Sequence, residues 1–276
     1  MPKPEATLII SFYNQFPFLE LVFAGLERQI HKNFEIIIAD DGSNGKIVQQ
    51  IKHYISISGL NINHVWHEDK GWRKNRILNL SIQRSSSDYL IFIDGDCIPH
   101  KAFIFEHLKN KQANTVLAGR RVNLSKTVSD RLTYIKVQKG FLETKLFPLM
   151  IWESIMGRGD RIENGFYFRS RAIRKRINKK DRGILGCNFS IHKSDLLAIN
   201  SFDERYEAPA VGEDTDLEYR LRLNGVKVKM VKHLAIQFHL YHPKLSRPGK
   251  NLEILNETME KGIWYTPYGI DKSGMK

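Results

Sequence analysis

Short apolar runs alternate with segments of helical length through the first hundred residues, and this alternation limits the possible folds more than any other feature. The apolar runs have the composition of strands buried in a parallel sheet, and the segments between them have helical periodicity. Strands are predicted at Thr7–Ser11, Phe34–Ala39, Ile62–Trp66 and Tyr89–Ile93, and helices after Pro17, around Lys46–Ile57 and near Arg73–Arg84. Such units join parallel strands by right-handed crossovers. The sequence therefore predicts an α/β fold with a mostly parallel central sheet flanked by helices.

The second half of the chain is less regular. The predicted elements there are strands at Thr115–Ala118 and Ile184–Ile191, a helix at Asp214–Asn224 that ends at Gly225, and a further pair of strands at Val226–Val231 and Leu234–His239. Residues 140–180 show the pattern of neither a helix nor a strand and are interpreted as a flexible loop that contacts an acceptor substrate. Residues 246–276 have weak periodicity and are interpreted as a C-terminal tail.

Cysteine content and hydropathy indicate a cellular compartment. Two cysteines, Cys97 and Cys187, are too few for a disulfide framework and suit a reducing environment. The N-terminus has no signal-peptide core, and no apolar run reaches the roughly 20 residues that a membrane span needs. We therefore expect a cytoplasmic protein, with a peripheral position on the inner face of the membrane as the second expectation.

The formal net charge of +13 indicates an anionic partner, because a basic protein attracts the phosphates of nucleotides, nucleic acids and membranes. Between Arg169 and Arg182 the chain carries eight basic residues and one acid, Asp181. A solvated segment and a contact with anionic lipid headgroups or a phosphorylated acceptor are equally favoured for this stretch. Nucleic-acid binding ranks third, because no recognised nucleic-acid-binding module surrounds it.

Polar and acidic residues follow the predicted parallel strands, at the sheet edge where α/β proteins bind ligands. These segments are Ser11–Asn14, Asp40–Ser43, Glu68–Gly71 and Asp94–Asp96. The carboxylates of Asp94 and Asp96 would repel each other without a proton or a cation between them. Mg²⁺ and Mn²⁺ accept such oxygen ligands and share them with phosphates. Asp-Gly is also a common turn, but the buried strand and the neighbouring polar segments favour a metal–diphosphate site.

Two other segments near this edge have a functional and a structural interpretation. Asp40 and Asp41 either form an Asx-turn, with a positive φ at Gly42, or accept a hydrogen bond from a nucleobase. These two interpretations are about equally favoured. The basic segment Lys70–Arg76 lies at a strand-to-helix transition. Backbone N–H groups at a helix start, together with Arg and Lys, form a diphosphate site. An exposed helix start usually favours acids, so the excess of bases favours this function.

Acids and histidines in the second half suggest catalysis and metal binding. Glu213, Asp214 and Asp216 either cap the helix that they begin or supply a base that deprotonates an acceptor hydroxyl. Asp214 is the candidate base, and Glu213 the candidate for orienting a sugar hydroxyl. His239 and His242 follow the last predicted strand, and metal binding and a structural role are about equally favoured for them. Strand alternation favours His239 as the ligand.

Taken in order, these motifs resemble family 2 glycosyltransferases. The first-half motifs are Thr7–Asn14, Asp40–Ser43 and Asp94–Asp96. The second half is similar to the galactosyltransferase C-terminal motif, which bacterial chondroitin-type polymerases share. The matching residues there are Gly186, Asn188, Ser190, Ile191, Ile199, Asn200, Phe202, Asp203 and Gly212–Leu217. Ala208–Val211 replaces the usual tryptophan- or glycine-rich stretch, and Ser201 stands where relatives often carry glycine.

The resemblance implies a GT-A (Rossmann-like) fold, a nucleotide-sugar donor, which is a UDP-sugar in most relatives, a divalent Mn²⁺ or Mg²⁺ ion, and a glycan or glycolipid acceptor. It implies that Asp40 binds uracil with Asp41 nearby, that Asp94 and Asp96 bind the metal with the diphosphate, that His239 completes the metal site, and that Asp214 is the base. The nucleotide-binding candidates are Ser11, Tyr13, Asn14, Asp40, Asp41, Lys70, Gly71, Arg73, Lys74, Arg76, Asp94 and Gly95. The metal candidates are Asp94, Asp96, His239 and His242, and the candidates for contacts with the acceptor or the sugar are Gly186, Asn188 and Glu213.

The expected organisation is one domain over residues 1–276. Its parts are a nucleotide-sugar-binding half at 1–100, an acceptor and catalytic half at 101–245 and the tail at 246–276. The expected reaction is a single displacement with inversion at the anomeric carbon, in the synthesis of a cell-surface polysaccharide. Arg73, Lys74 and Arg76 would stabilise the departing diphosphate.

Two alternatives belong to other classes. A nucleotidyltransferase would have a glycine-rich loop after the first strand, where this chain has Phe12–Gln15. A basic protein that binds nucleic acid or membrane without catalysis would bind with a steep salt dependence and no metal. The acids at successive strand ends argue against this second alternative, since they would repel phosphate without a metal.

Overall fold

A seven-stranded mixed sheet forms the centre of the computed structural model, which describes residues 3–170, 172–173, 176, 183–208, 212–243 and 249–273. The strands are β1 (Ala6–Phe12), β2 (Phe34–Asp40), β3 (Ile62–Trp66), β4 (Tyr89–Asp94), β5 (Cys97–Pro99), β6 (Thr115–Ala118), β7 (Arg120–Asn123), β8 (Asn188–His192), β9 (Lys227–Met230) and β10 (Ile236–His239). The central order is β3-β2-β1-β4-β8-β6-β9, and β5-β10-β7 form a second, smaller sheet. Strands β1 to β4 pair in parallel, whereas β8 is antiparallel to both of its neighbours.

Helices cover both faces of the central sheet. They are α1 (Phe16–Glu27), α2 (Gly45–Ile57), α3 (Lys74–Arg84), α4 (Phe103–Asn110), α5 (Lys126–Asp130), α6 (Tyr134–Gln138), α7 (Phe147–Ile155), α8 (Lys193–Ala198), α9 (Glu213–Leu223) and α10 (Lys250–Glu260), with 3₁₀ turns at Phe141–Glu143 and Ile162–Gly165. Local signals explain two helix starts: α1 has Pro17 in its first turn, and the Asn44 side chain caps α2 by accepting from the Ile47 amide at 3.2 Å. In the part of the chain described here, no helix is both long enough and apolar enough to cross a bilayer.

Two apolar clusters form because side chains alternate along the buried strands. Leu8 and Ile10 of β1 pack in one cluster, with helices α1, α2 and α4 and the smaller sheet. Ile9, between them, packs in the other cluster, with α3, α8 and α9. Because both faces of these strands are covered, their sequences are continuously apolar. The α/β fold with a mostly parallel sheet, predicted from that pattern, is confirmed.

The predicted pairing of the last two strands is wrong. β9 pairs with β6 at the edge of the central sheet, whereas β10 lies between β5 and β7 in the smaller sheet. The chain turns between them at His233, whose φ of 65° is left-handed, so the strands leave in different directions. The two halves also interleave, because β4 of the first half pairs with β8 and β5 pairs with β10.

The region interpreted as a tail contains a helix that packs on the domain. Helix α10 lies against α9, and Glu257 of α10 forms an ion pair with Arg205 at 2.8 Å. After the helix, the Asn200 side chain donates to the carbonyls of Thr266 and Asp271, both at 2.7 Å. These contacts involve residues distant in sequence, which is why local periodicity did not reveal them.

The unassigned stretch 140–180 also contains structure in its described part. It includes α7 and both 3₁₀ turns. Most of the basic stretch that begins at Arg169 lies outside the described residues, as do residues 209–211, which were compared with the family motif above.

A buried ion pair within α9 includes the arginine that joins this helix to the chain beside it. The Arg220 Nε donates to Asp216 at 2.8 Å, and both side chains are almost completely buried. Arg220 Nη1 also donates to the carbonyls of Ile199 and Ser201, at 3.1 and 2.8 Å. Asp216 therefore neutralises a guanidinium that holds the start of the 199–206 segment against α9.

We predict that Asp216→Ala destabilises the fold by about 3–5 kcal/mol, because it leaves the buried Arg220 guanidinium without a counter-charge. Asp130→Ala is the matched control, since Asp130 pairs with Lys126 at the same i,i+4 spacing but on the exposed surface. The control should cost less than about 1 kcal/mol. Urea unfolding of the three proteins measures both values, and equal losses would contradict the buried-pair argument.

Candidate active site

The carboxyl ends of β1 and β4 open into a cavity that also borders the first turns of α3 and α9. Its lining residues are Ser11, Lys74, Asn75, Leu78, Phe92, Ile93, Gly186, Phe189, Phe202, Glu213 and Asp214. The cavity lies where ligands bind in parallel α/β sheets. Five of the residues predicted for the site line it, from four separate segments of the chain.

Asp94 lies at the end of β4 with two polar partners from the cavity wall. The Ser11 hydroxyl donates to Asp94 Oδ1 at 2.6 Å, and Lys74 Nζ donates to the same oxygen at 3.1 Å. Burial disfavours the charged form of Lys74, but the carboxylates of Asp94, Glu213 and Asp214 outweigh burial and raise its pKa. Lys74 is therefore a fixed cation among three carboxylates.

Asp96 lies in a cluster with both candidate histidines. Its Oδ2 is 3.4 Å from His239 Nε2 and 3.2 Å from His242 Nε2, and the two Nε2 atoms are 3.2 Å apart. β5 and β10 place them there, because Cys97 pairs with His239 and the Leu240 amide donates to the Asp96 carbonyl. Burial alone would raise the pKa of Asp96, but hydrogen bonds from the two histidines hold it well below its usual range.

One carboxylate oxygen and two imidazole nitrogens thus converge on one point. All three donor atoms lie within 4.8 Å of one another, close enough to ligate one ion. Such a mixed set of oxygen and nitrogen donors suits transition metals such as Mn²⁺ better than Mg²⁺, which prefers oxygen alone. The arrangement includes both histidines between which the sequence could not decide.

Glu213 and Asp214 enter the cavity from the first turn of α9. Asp214 Oδ2 accepts the Gly186 amide at 2.8 Å, and Glu213 lies beside Asp214 in the wall of the cavity. Burial raises the pKa of both carboxyl groups, and the negative charge of Asp214 raises that of Glu213 further. Asp216 instead pairs with Arg220 in the interior. The three acids of this segment therefore have different surroundings.

Asp40 and Asp41 are occupied by contacts within the protein. Asp40 is fully buried, and its two oxygens contact the Ser43 amide and His64 Nε2, each at 2.8 Å. Asp41 contacts His67 Nε2 at 2.7 Å and accepts the Arg73 amide at 2.9 Å. These contacts correspond to the turn interpretation of the segment, and they tie the β2 loop to the end of β3.

In the basic segment, Lys74 alone among the four described cations lines the cavity. Lys70 pairs with Glu68 at 3.1 Å. The guanidinium groups of Arg73 and Arg76 are directed to the 204–207 segment, to Glu207 at 3.6 Å and Glu204 at 3.8 Å. Gly71 forms the turn before α3 with a φ of 82°, and its amide donates to Asp69.

Other candidates of the first half lie in the loops around the cavity. Tyr13 is half exposed and donates to Asp69 at 2.9 Å. The Asn14 amide donates to the Ser43 hydroxyl, and the Gly95 amide donates to the Ser11 carbonyl, both at 2.8 Å. Of these three predicted residues, Tyr13 has the most exposed surface with which to contact a ligand.

Asn188 lies below the cavity rather than in its wall. It is fully buried, and its side-chain amide donates to the carbonyls of Arg120 and Ala235 at 2.9 and 3.0 Å. Asn188 therefore connects the central sheet to the smaller sheet. Its predicted contact with the acceptor or the sugar stays a prediction, although Asn188 is not among the lining residues of the cavity.

Three residues near the carboxylates were not proposed from the sequence as site residues. The Arg121 guanidinium donates to Cys187 Sγ at 3.5 Å, and Cys187, Cys97 and an Asp94 oxygen lie within 4.8 Å of one another. Burial would lower the pKa of Arg121, but Cys187, Cys97 and the carboxylates of Asp94 and Asp96 raise it. Arg121 lies in β7, which the sequence did not predict, so no local signal pointed to it.

Comparison with known proteins identifies the class of the molecule. The model of the family described as glycosyl transferase family 2 matches residues 7–182, and a model described as the N-terminal domain of galactosyltransferase matches residues 169–243. The first match covers more than half of the chain. The chain therefore belongs to glycosyl transferase family 2 and contains a glycosyltransferase domain. This result confirms the resemblance and supports neither the nucleotidyltransferase nor the non-enzymatic alternative.

Characterised relatives are longer than this chain. It is 25% identical to chondroitin synthase of Escherichia coli over 248 residues, which cover 86% of this chain and 35% of that protein. It is 26% identical to hyaluronan synthase of Pasteurella multocida over 112 residues, which cover 38% of this chain and 11% of that protein. The chain thus spans about a third of the chondroitin synthase and less of the hyaluronan synthase.

Solved structures show the same fold at low sequence identity. GalNAc-T7 with UDP, GalNAc and Mn²⁺ superposes with a TM-score of 0.62 and 13% identity, over 94% of this chain and 48% of that one. The mannosyltransferase PcManGT of Pyrobaculum calidifontis, in complex with GDP-Man and Mn²⁺, superposes with a TM-score of 0.57 and 12% identity. This match covers 88% of this chain and 58% of that one. The predicted GT-A fold is confirmed.

We predict that Gly186→Ala destabilises the protein by about 1–3 kcal/mol, because the new methyl group would overlap a buried group. A Cβ at this position would lie 2.1 Å from Asp214 Oδ1. Gly45→Ala is the control, since a Cβ at that position has no neighbour within 4 Å. Thermal and urea unfolding measure the difference, and a loss no larger than that of the control would show that Asp214 is free to move.

Proposed function

We propose that this chain transfers a sugar from a nucleoside-diphosphate sugar to a hydroxyl of a glycan or glycolipid acceptor, with inversion at the anomeric carbon, in polysaccharide synthesis. The observation that carries the proposal is that Lys74, which contacts Asp94, lines one cavity together with Glu213 and Asp214. One side of the cavity has groups suited to a diphosphate, and the other has groups suited to proton transfer.

A UDP-sugar is the proposed donor. The GalNAc-T7 structure contains UDP and the mannosyltransferase structure contains GDP-Man, so the shared fold is compatible with either nucleotide. The relatedness to chondroitin synthase and hyaluronan synthase supports a role in polymer synthesis. The half-exposed side chains of Tyr13, which follows β1, and Trp66, which ends β3, would provide flat surfaces for stacking of a nucleobase.

A divalent cation, Mn²⁺ in preference to Mg²⁺, is the proposed cofactor. Asp96, His239 and His242 would hold it, with Asp94 on the diphosphate side, and the converging donors described above fit such an ion. When bound, the cation neutralises negative charge on the departing nucleoside diphosphate. The presence of Mn²⁺ in both solved structures supports this assignment.

The residues of the chain supply positioning and proton transfer. Lys74 places a permanent positive charge beside Asp94, where the diphosphate would lie. Asp214 is fixed through one oxygen by the Gly186 amide, which leaves its other oxygen to accept the proton of the attacking hydroxyl. Glu213 lines the same cavity and would orient a sugar hydroxyl. A single displacement needs no covalent intermediate on the protein, so it inverts the anomeric centre.

Calorimetry of UDP binding tests the nucleotide and metal parts of this proposal. We expect binding that requires Mn²⁺ and that Asp96→Ala weakens by at least about tenfold, since loss of even a supporting group around a metal costs about 10–100-fold in affinity. His53→Ala, an exposed histidine on α2, is the control and should bind like the native chain. Binding of GDP instead of UDP would correct the donor, and metal-independent binding would refute the metal site.

We predict that Asp214→Asn lowers kcat by about 10²–10⁴-fold and leaves the UDP dissociation constant unchanged. Because burial raises the pKa of Asp214, native activity is present above that pKa and is lost as the pH falls through it. The acidic limb of kcat/KM should therefore lie above the range of an ordinary aspartate. The assay follows UDP release from a panel of UDP-sugars with glycan acceptors. Asp195→Asn, whose carboxyl pKa burial also raises, is the control on α8 and should keep native activity.

A further inference from the structure

Helix α7 has its apolar face outward. The exposed residues are Pro148, Ile151, Trp152, Ile155 and Met156, which have the i, i+3, i+4, i+7, i+8 spacing of one helix face. Trp152 is 55% exposed and Ile155 72%. A helix on a soluble protein normally directs such a face to the core, so this orientation requires an explanation.

The inward side of the helix carries its acid. Glu153 is buried, and Arg158 Nη2 donates to its Oε1 at 2.9 Å. Glu153 is the single acidic residue of α7, so the outer face of the helix carries no negative charge. Met150 is buried as well, so α7 is apolar on both sides and exposes apolar residues where an ordinary surface helix exposes charges.

Basic residues precede and follow α7 in the chain. Between Lys139 and Arg161 four basic residues are exposed, namely Lys139, Lys145, Arg158 and Arg161. Each of the three acids in the same interval has a basic partner: Glu143 pairs with Arg28 at 2.7 Å, Glu153 with Arg158 at 2.9 Å and Asp160 with Arg161 at 3.3 Å. Lys139 and Lys145, which precede α7 in the chain, therefore leave this part of the surface with an excess of positive charge.

We infer that α7 docks on an anionic lipid bilayer. A helix of nine residues is about 14 Å long, too short to cross a membrane, so it would lie in the plane of the interface. Isoleucine, methionine and tryptophan enter the boundary between headgroups and acyl chains, and the bases that precede and follow the helix contact lipid phosphates. None of the exposed residues of α7 lines the described cavity, so the inference does not depend on the proposed reaction.

Co-sedimentation with vesicles tests this inference with the full chain. We expect it to bind vesicles of phosphatidylcholine and phosphatidylglycerol more tightly than vesicles of phosphatidylcholine alone, and to be released as salt screens the charges. Ile151→Ser combined with Ile155→Ser should weaken binding to the anionic vesicles about tenfold or more. Ile57→Ser combined with Leu197→Ser is the matched control, because both residues are exposed and lie on α2 and α8, and it should bind like the native chain.

Thermal unfolding establishes that both double variants are folded, as expected for changes at exposed positions. Native-like binding by the α7 variant, or absence of binding by the native chain, would overturn the inference. Analytical ultracentrifugation tests whether a second copy of the chain, rather than a bilayer, covers the exposed face of α7. A native dimer that the α7 variant converts to a monomer would also overturn the inference, because the face would then be a protein interface.

Discussion

The active site depends on the compensation of several carboxylates by one partly buried lysine. Asp94, Glu213 and Asp214 come from different parts of the chain and lie around Lys74. Without a cation, partly buried acids this close together would repel one another or take up protons. The first turn of α3 supplies the lysine and the first turn of α9 supplies two of the acids, so the packing of both helices on the same face of the sheet is a condition for the charge balance.

The smaller sheet has a comparable role for the histidine cluster. Asp96 follows β4 directly, whereas His239 and His242 are more than 140 residues further along the chain. The pairing of β10 with β5 brings them within hydrogen-bond distance of Asp96. Asn188 links the two sheets below the cavity. A residue that contacts no substrate thus helps to fix the relative positions of the carboxylates and the histidines.

The sequence predicted most of the central sheet and the identity of the acids, but not their individual environments. Continuous apolar runs identified β1 to β4, because both of their faces are buried. Short elements such as β5 and β7 have no such signal, so the Arg121 position was not found. Periodicity likewise does not tell whether the carboxylate oxygens of Asp40 have hydrogen-bond partners within the protein. One of these oxygens contacts His64, which lies in the next strand. The pairing predicted for β9 and β10 was wrong for the same reason, because strand pairing depends on the whole sheet and not on the local sequence.

The position of the acids on α9 depends on the C-terminal segment as well. Gly212 directly precedes α9 with a φ of 97°, and a Cβ there would lie 2.9 Å from the Tyr206 ring and 3.4 Å from the Asn251 carbonyl oxygen. The Asn251 amide donates in turn to the Ala208 carbonyl at 2.8 Å, which ties α10 to the chain that leads to this glycine. Beyond α10, the contacts of Asn200 with Thr266 and Asp271 hold the beginning of the same segment. The direction in which Glu213 and Asp214 enter the cavity therefore depends on residues that lie after the last family motif in the chain. The segment after residue 249 thus supports the active site.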